Sequence, residues 1–163
     1  MKTQRDRRGF TLVETLVATM VVAMLSLALM AGVAASSNIY SDARFSSESE
    51  ILANTLNTAL GDVLHFAVYD SDSGAFVNRN YGITAGHFLV QDGRLLLSPD
   101  ESENEESLLS LVSSGAYTNL KIKAFSMQYD PLSALFTGDY TISGTERQSV
   151  TISFAFRALN GEG

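Results

Sequence analysis

Glu14 is the residue whose type and position most demand a chemical explanation. It is the only charged side chain between Phe10 and Ile39, in a run that is otherwise apolar or small. A carboxylate inside a membrane span costs on the order of 2.5 to 3.5 kcal/mol at the helix centre, judged from Asp, and less near the end. Glu14 lies four residues after Phe10, about 6 Å of helical rise, so it can sit near an interface. Its cost grows when helices pack together and exclude water, and a positive partner recovers much of it. The chemistry this residue suits is ion pairing.

The other chemistry-bearing residues make no comparable pattern. The chain has no cysteine, which excludes disulfides and Cys-based metal sites. Its two histidines, His65 and His87, are too few for a His-rich metal cluster and read as surface or packed residues. Asp70, Asp72 and Gly74, within DSDSG, loosely suggest a calcium loop. The later bidentate Glu of such a loop is missing at the required spacing, so a solvated turn is expected. Serines and acids abound, but no motif implies a Ser/His/Asp trio, and carboxylate pairs carry no weight without a pocket. No catalytic, metal or cofactor site is expected, and the chain reads as a non-enzyme.

These residues need elements to position them. Residues 16 to 35, LVATMVVAMLSLALMAGVAA, are long enough at about 1.5 Å per residue to cross a hydrocarbon core about 30 Å thick. Lys2, Arg5, Arg7 and Arg8 precede this run, opposed only by Asp6, which predicts a cytoplasmic N-terminus with the rest outside. Beyond Ser36-Ser37-Asn38, apolar residues recur at Ile39, Ala43, Phe45, Leu52, Leu56, Leu60, Val63 and Ala67. That near-3.6 period marks the stripe of an amphipathic helix. One helix of roughly 55 residues is expected, from Phe10 to about His65, with Gly32 and Gly61 as soft points.

After DSDSG the period switches to two. Phe88 to Gln91 and Arg94 to Leu97 flank Asp92-Gly93, a dipeptide suited to a two-residue type I′ hairpin. The run SPDESENEES, residues 98 to 107, reads as an exposed acidic loop, with a partner contact as the alternative. Alternation from Leu120 to about Tyr129, Tyr140 to Ile142, and Val150 to Phe156 gives further strands. The expected division is a basic leader (1–9), a transmembrane half-helix (10–37), an amphipathic half-helix (38–66) and an antiparallel sheet head (67–163). The fold class is α+β, with the second half of the helix covering a sheet built from residues 80 to 159.

Residues 7 to 16, RRGFTLVETL, resemble the N-terminus of type IV prepilins and type II secretion pseudopilins. The resemblance rests on a basic leader ending in Gly9, then Phe10, then Glu14 as the fifth residue onward, then an apolar helix. It implies a pilin-like fold, cleavage after Gly9 by a prepilin peptidase, and N-methylation of Phe10. Cutting there creates an α-amine, normally protonated below about pH 7.7 to 8.0, with which Glu14 of a neighbouring subunit can pair. Glu14 then sets the register of assembly into a pilus or pseudopilus. Other partners implied are sibling pilins or pseudopilins and an assembly platform membrane protein with its cytoplasmic ATPase. The expected location is the cytoplasmic (inner) membrane, then an extracytoplasmic filament. Residues 86 to 156 look more loosely like W-type minor pilins and J-type minor pseudopilins.

Residues 10 to 163 carry 7 Lys and Arg against 17 Asp and Glu, a formal net charge of −10. Such a balance opposes nucleic-acid binding, since phosphate contacts need Lys and Arg. Two rival readings exist. An ordinary secretory signal could be cut at Gly32-Val33-Ala34, but its apolar region is usually about 7 to 15 residues, and Glu14 interrupts this one. A plain anchor bearing an extracytoplasmic binding module or enzyme explains the hydrophobicity but not RRGF followed by Glu14. Methyl-phenylalanine at position 10 supports the prepilin-like reading; an intact leader or a start at Ala35 supports a rival.

Overall fold

The computed structural model describes residues 11–71, 73–100, 107–117, 119–145 and 147–159. The chain is one long helix followed by antiparallel sheets, an α+β arrangement. Helix α1 spans Leu12–Leu64, 53 residues, and runs unbroken through both Gly32 and Gly61. Two compact units are formed, Met1–Ala43 and Arg44–Gly163. In the first unit every described residue is exposed, including Leu16, Met20, Met24 and Leu27. Ile39 and Ala43, on the apolar stripe by sequence, are exposed as well; the buried part starts only in the second unit, as expected for the cover of residues 45 to 67.

In that unit, the head, Leu52, Leu56, Leu60 and Leu64 are almost wholly buried and Phe45 half-buried, along one face of α1. Steps of four residues place these side chains above one another, which is why this half of the helix needs a cover. Strands β1 (Val68–Asp70), β2 (Ala75–Asn78), β3 (Ile83–Gln91), β4 (Arg94–Ser98) and β5 (Leu109–Ser110) form a five-stranded antiparallel meander. Strands β6 (Lys121–Asp130), β7 (Leu135–Ser143) and β8 (Ser149–Arg157) form a second sheet of three. A single sheet beginning near residue 80 was expected, so this is a correction. DSDSG closes the β1–β2 hairpin, with Gly74 N–H donating to the Asp70 carbonyl at 2.9 Å, rather than merely ending the helix.

The β3–β4 hairpin forms as its dipeptide predicts. Gln91 pairs with Arg94, and Asp92 and Gly93 have φ of 52° and 75°, the two positive values a type I′ turn needs. Gly93 also touches β6: its carbonyl accepts from Ile122 N–H at 2.8 Å, joining the two sheets. On β6 to β8 the residues Phe125, Met127, Phe136, Tyr140, Ile142, Phe154 and Phe156 share the inner face that alternation assigns to the core. Gly61 of α1 lies under the Phe156 ring, where a Cβ would come within 3.2 Å. Its role is close approach, not bending.

Two polar devices tie the end of α1 to the sheets. Asn78 is fully buried, donates its side-chain amide to the Val63 carbonyl at 2.6 Å and accepts from Asn80 N–H at 3.0 Å. Leu159 N–H donates to the His65 carbonyl at 2.7 Å. Carbonyls near a helix C-terminus have no intrahelical partner, so both bonds satisfy groups otherwise left unpaired.

Tyr140, fully buried at the centre, has its hydroxyl 3.1 Å from the Ala53 carbonyl and 3.0 Å from the Asn57 side-chain oxygen, with one hydrogen to donate. Burial, with a smaller contribution from Tyr117, pushes its pKa up to about 12. An unfolded tyrosine ionises near 10, so above that pH the unfolded chain releases a proton that the native one retains. Thermal stability is therefore expected to hold up to about pH 10 and to fall between about pH 10 and about pH 12. Tyr140→Phe should cost about 1 kcal/mol at neutral pH and flatten that alkaline decline, read as melting temperature against pH. An undiminished decline in the variant would place its origin elsewhere.

Candidate functional site

The candidate site is the start of α1. Gly9 and Phe10 lie outside the described residues; Glu14 lies within them. Thr11 precedes the first helical residue and Glu14 is three residues on, the spacing of a capping box. Glu14 Oε2 accepts from Thr11 N–H at 3.0 Å and from Thr11 Oγ1 at 3.1 Å. In return Thr11 Oγ1 accepts from Glu14 N–H at 3.2 Å. Two backbone donors without intrahelical partners are thereby satisfied, and the carboxylate lies at the positive end of the helix dipole.

This geometry refines the sequence reading of Glu14. The residue was expected only as a carboxylate awaiting an amine. In the structure it already holds the first turn of its own helix through one oxygen. The signal was present in Thr11-Leu12-Val13-Glu14, since Thr-x-x-Glu before an apolar run is the signature of such a cap.

The rest of the segment hides its few polar groups against its own backbone. Thr15 Oγ1 donates to Leu12 O and Thr19 Oγ1 to Leu16 O, both at 2.8 Å, and Ser26 Oγ donates to Val22 O at 2.9 Å. Hydroxyls satisfied this way lower the cost of entering a medium without water. Mean hydropathy reaches 2.4 over an eighteen-residue window of α1, none of which is buried. Such a surface suits lipid or the flanks of other helices.

The histidines stand apart from this segment. His65 meets Phe156 edge to face, ring centroids 5.8 Å apart, and His87 sits in β3 opposite Ser98. The DSDSG acid Asp70 accepts from Ser73 Oγ at 2.8 Å, while Asp72 lies outside the described residues. Most of the acidic run, residues 101 to 106, lies outside them too.

Without its hydroxyl, position 11 keeps its backbone but loses the reciprocal bond. In bilayer-reconstituted protein, Thr11→Val should raise amide exchange at residues 12 to 14 by about fivefold, the equivalent of a cap worth about 1 kcal/mol. Unchanged protection would show that the cap contributes nothing in lipid.

Residues 4–30 match the prokaryotic N-terminal methylation motif. Comparison with curated proteins and with solved structures finds no match. A methylation motif that runs into a long helix with an uncovered apolar first half, followed by antiparallel sheets, supports the likeness to type IV prepilins and pseudopilins.

Proposed function

We propose that the chain is a minor structural subunit of a type IV pilus or type II secretion pseudopilus. It is cut after Gly9 by a prepilin peptidase, methylated on Phe10, and assembled through α1. The observation that carries this reading is the methylation motif over residues 4–30, at the head of a helix whose first half has no cover of its own. The mature subunit waits in the inner membrane, N-terminus towards the cytoplasm and head outside. An assembly platform membrane protein and its cytoplasmic ATPase then lift it into contact with sibling pilins. The looser likeness of residues 86 to 156 to W-type and J-type minor subunits supports a low-copy place that starts or caps the filament.

In this scheme Glu14 has two tasks that differ in what they need. Capping needs an acceptor at the third helical position, which Gln supplies nearly as well as Glu. Register needs negative charge, to meet the amine of a neighbour where packed helices exclude water. The amine is in place only after cleavage, so only processed subunits present both partners.

Glu14→Gln and Glu14→Ala should both be cleaved, giving a mass and N-terminus that begin at a methylated Phe10. Both should fail to enter filaments, the Gln variant despite its retained cap, in an assay of sheared surface material against membrane stock. Normal incorporation of Glu14→Gln would remove the charge from the mechanism. A mature N-terminus anywhere but residue 10 would remove the processing scheme itself.

A further inference from the structure

The head carries most of its positive charge at one end. Residues 10 to 163 contain seven Lys and Arg: Arg44, Arg79, Arg94, Lys121, Lys123, Arg147 and Arg157. Five of them belong to segments that the fold draws together. Phe45, next to Arg44, packs on Gly144, where a Cβ would lie 2.8 Å from its ring. Gly144 N–H donates to Gln148 O at 3.0 Å, closing the β7–β8 turn that holds Arg147. Ser143 pairs with Lys121 at the start of β6, and Lys123 occupies the bulge where the β6–β7 register shifts. The Lys121 side chain lies against Gly93, beside Arg94. All five cations are exposed. The opposite end of the same strands carries Asp130, whose carboxylate accepts from Ser133 Oγ and Leu132 N–H.

The acids of the basic end are fewer. Glu48 accepts from Arg44 Nε at 2.6 Å, and Asp92 lies in the β3–β4 turn. Glu146, in the β7–β8 turn by sequence, lies outside the described residues. Asp42, two residues before Arg44, has interactions of its own. Five cations against Asp42, Glu48, Asp92 and Glu146 give a net of +1, so the remainder of residues 10 to 163 carries −11 against the total of −10. Such segregation in an acidic chain points to an anionic partner for this end alone.

Chain connectivity says which one. This is the end of the head at which the chain enters from the apolar run, since Phe45 packs there and His65 lies beside Leu159 and Phe156 at the other. Only eight residues lie between Ala35, the last of that run, and Arg44. We propose that Arg44, Arg94, Lys121, Lys123 and Arg147 form a docking surface for anionic phospholipid headgroups, engaged while the subunit is held in the membrane. The proposal rests on residues 16 to 35 lying in a bilayer and goes beyond the assembly reading. Charge near an anionic surface acts within a Debye length, about 8 Å at physiological salt, and each cation multiplies the attraction about fivefold. The acidic remainder of the head is repelled by the same surface, so the contact also sets which end faces lipid.

The cysteine-free chain allows a single label. Full-length protein carrying Thr145→Cys, with a fluorophore, is placed in nanodiscs bearing headgroup quenchers. Co-elution with the disc confirms insertion independently of docking. Quenching should be at least twofold stronger with about 30% phosphatidylglycerol than with phosphatidylcholine alone, and should fall to the latter level in about 0.5 M salt. A label at the fully exposed Leu132→Cys should show no such difference. Lys121→Glu with Lys123→Glu should abolish the gain, as should Lys123→Glu with Arg147→Glu, which leaves Lys121 against Gly93. Equal quenching in both lipids, or an unchanged gain in a folded charge-reversed variant, would overturn the proposal. Failure to co-elute would instead count against the membrane segment on which both readings stand.

Discussion

The constraint on which everything else depends is that one helix must satisfy two different surroundings. From Leu52 to Leu64 its apolar face is the floor on which both sheets are packed, and removing that face would leave neither sheet with a core. From Leu12 to Ala43 it offers apolar side chains with nothing from its own chain to cover them. Apolar area left in water costs about 25 cal/mol per Å², so the second region requires lipid or other helices. A single continuous element thus fixes both the head and the need for a membrane or filament around it.

The change of environment is written in the polar residues. In the uncovered half, Thr15, Thr19 and Ser26 turn their hydroxyls back to the carbonyl of the preceding turn, and Glu14 and Asp42 sit near its two ends. In the covered half, polar groups bond across to other elements: Tyr140 to Ala53 and Asn57, Asn78 to Val63. Self-satisfied polar groups allow a helix to move between lipid and protein neighbours. Cross-satisfied ones hold a single packing, because breaking them leaves a buried donor or acceptor unpaired.

Much of this was legible in the sequence because it rests on local, repeated signals. The apolar run, the stripe from Phe45 to Ala67, the Asp92-Gly93 turn and the alternation of Val150 to Phe156 each repeat a period or carry a turn residue. What escaped was short or non-local. Strands β1 and β2 have three and four residues, too few to show a period, and Asn78 sits where alternation calls for an apolar side chain. It is buried because its amide serves a helix carbonyl fifteen residues earlier, which no local window can reveal. The separation into two sheets has the same cause, since periodicity marks strands but not their neighbours. The Thr11 cap is a different case: its signal is a three-residue spacing to Glu14, with no period behind it.

The clamp at the far end of α1 has a mechanical consequence. Val63 is held by Asn78 of β2, and His65 by the chain leaving β8, so the helix terminus is fastened to both sheets at once. A pull along the rod therefore loads hydrogen bonds in two places together with the Leu52–Leu64 packing, and these must yield in concert rather than one after another. Extraction of such a helix from lipid by a motor would transmit tension into the globule without unravelling it from the end.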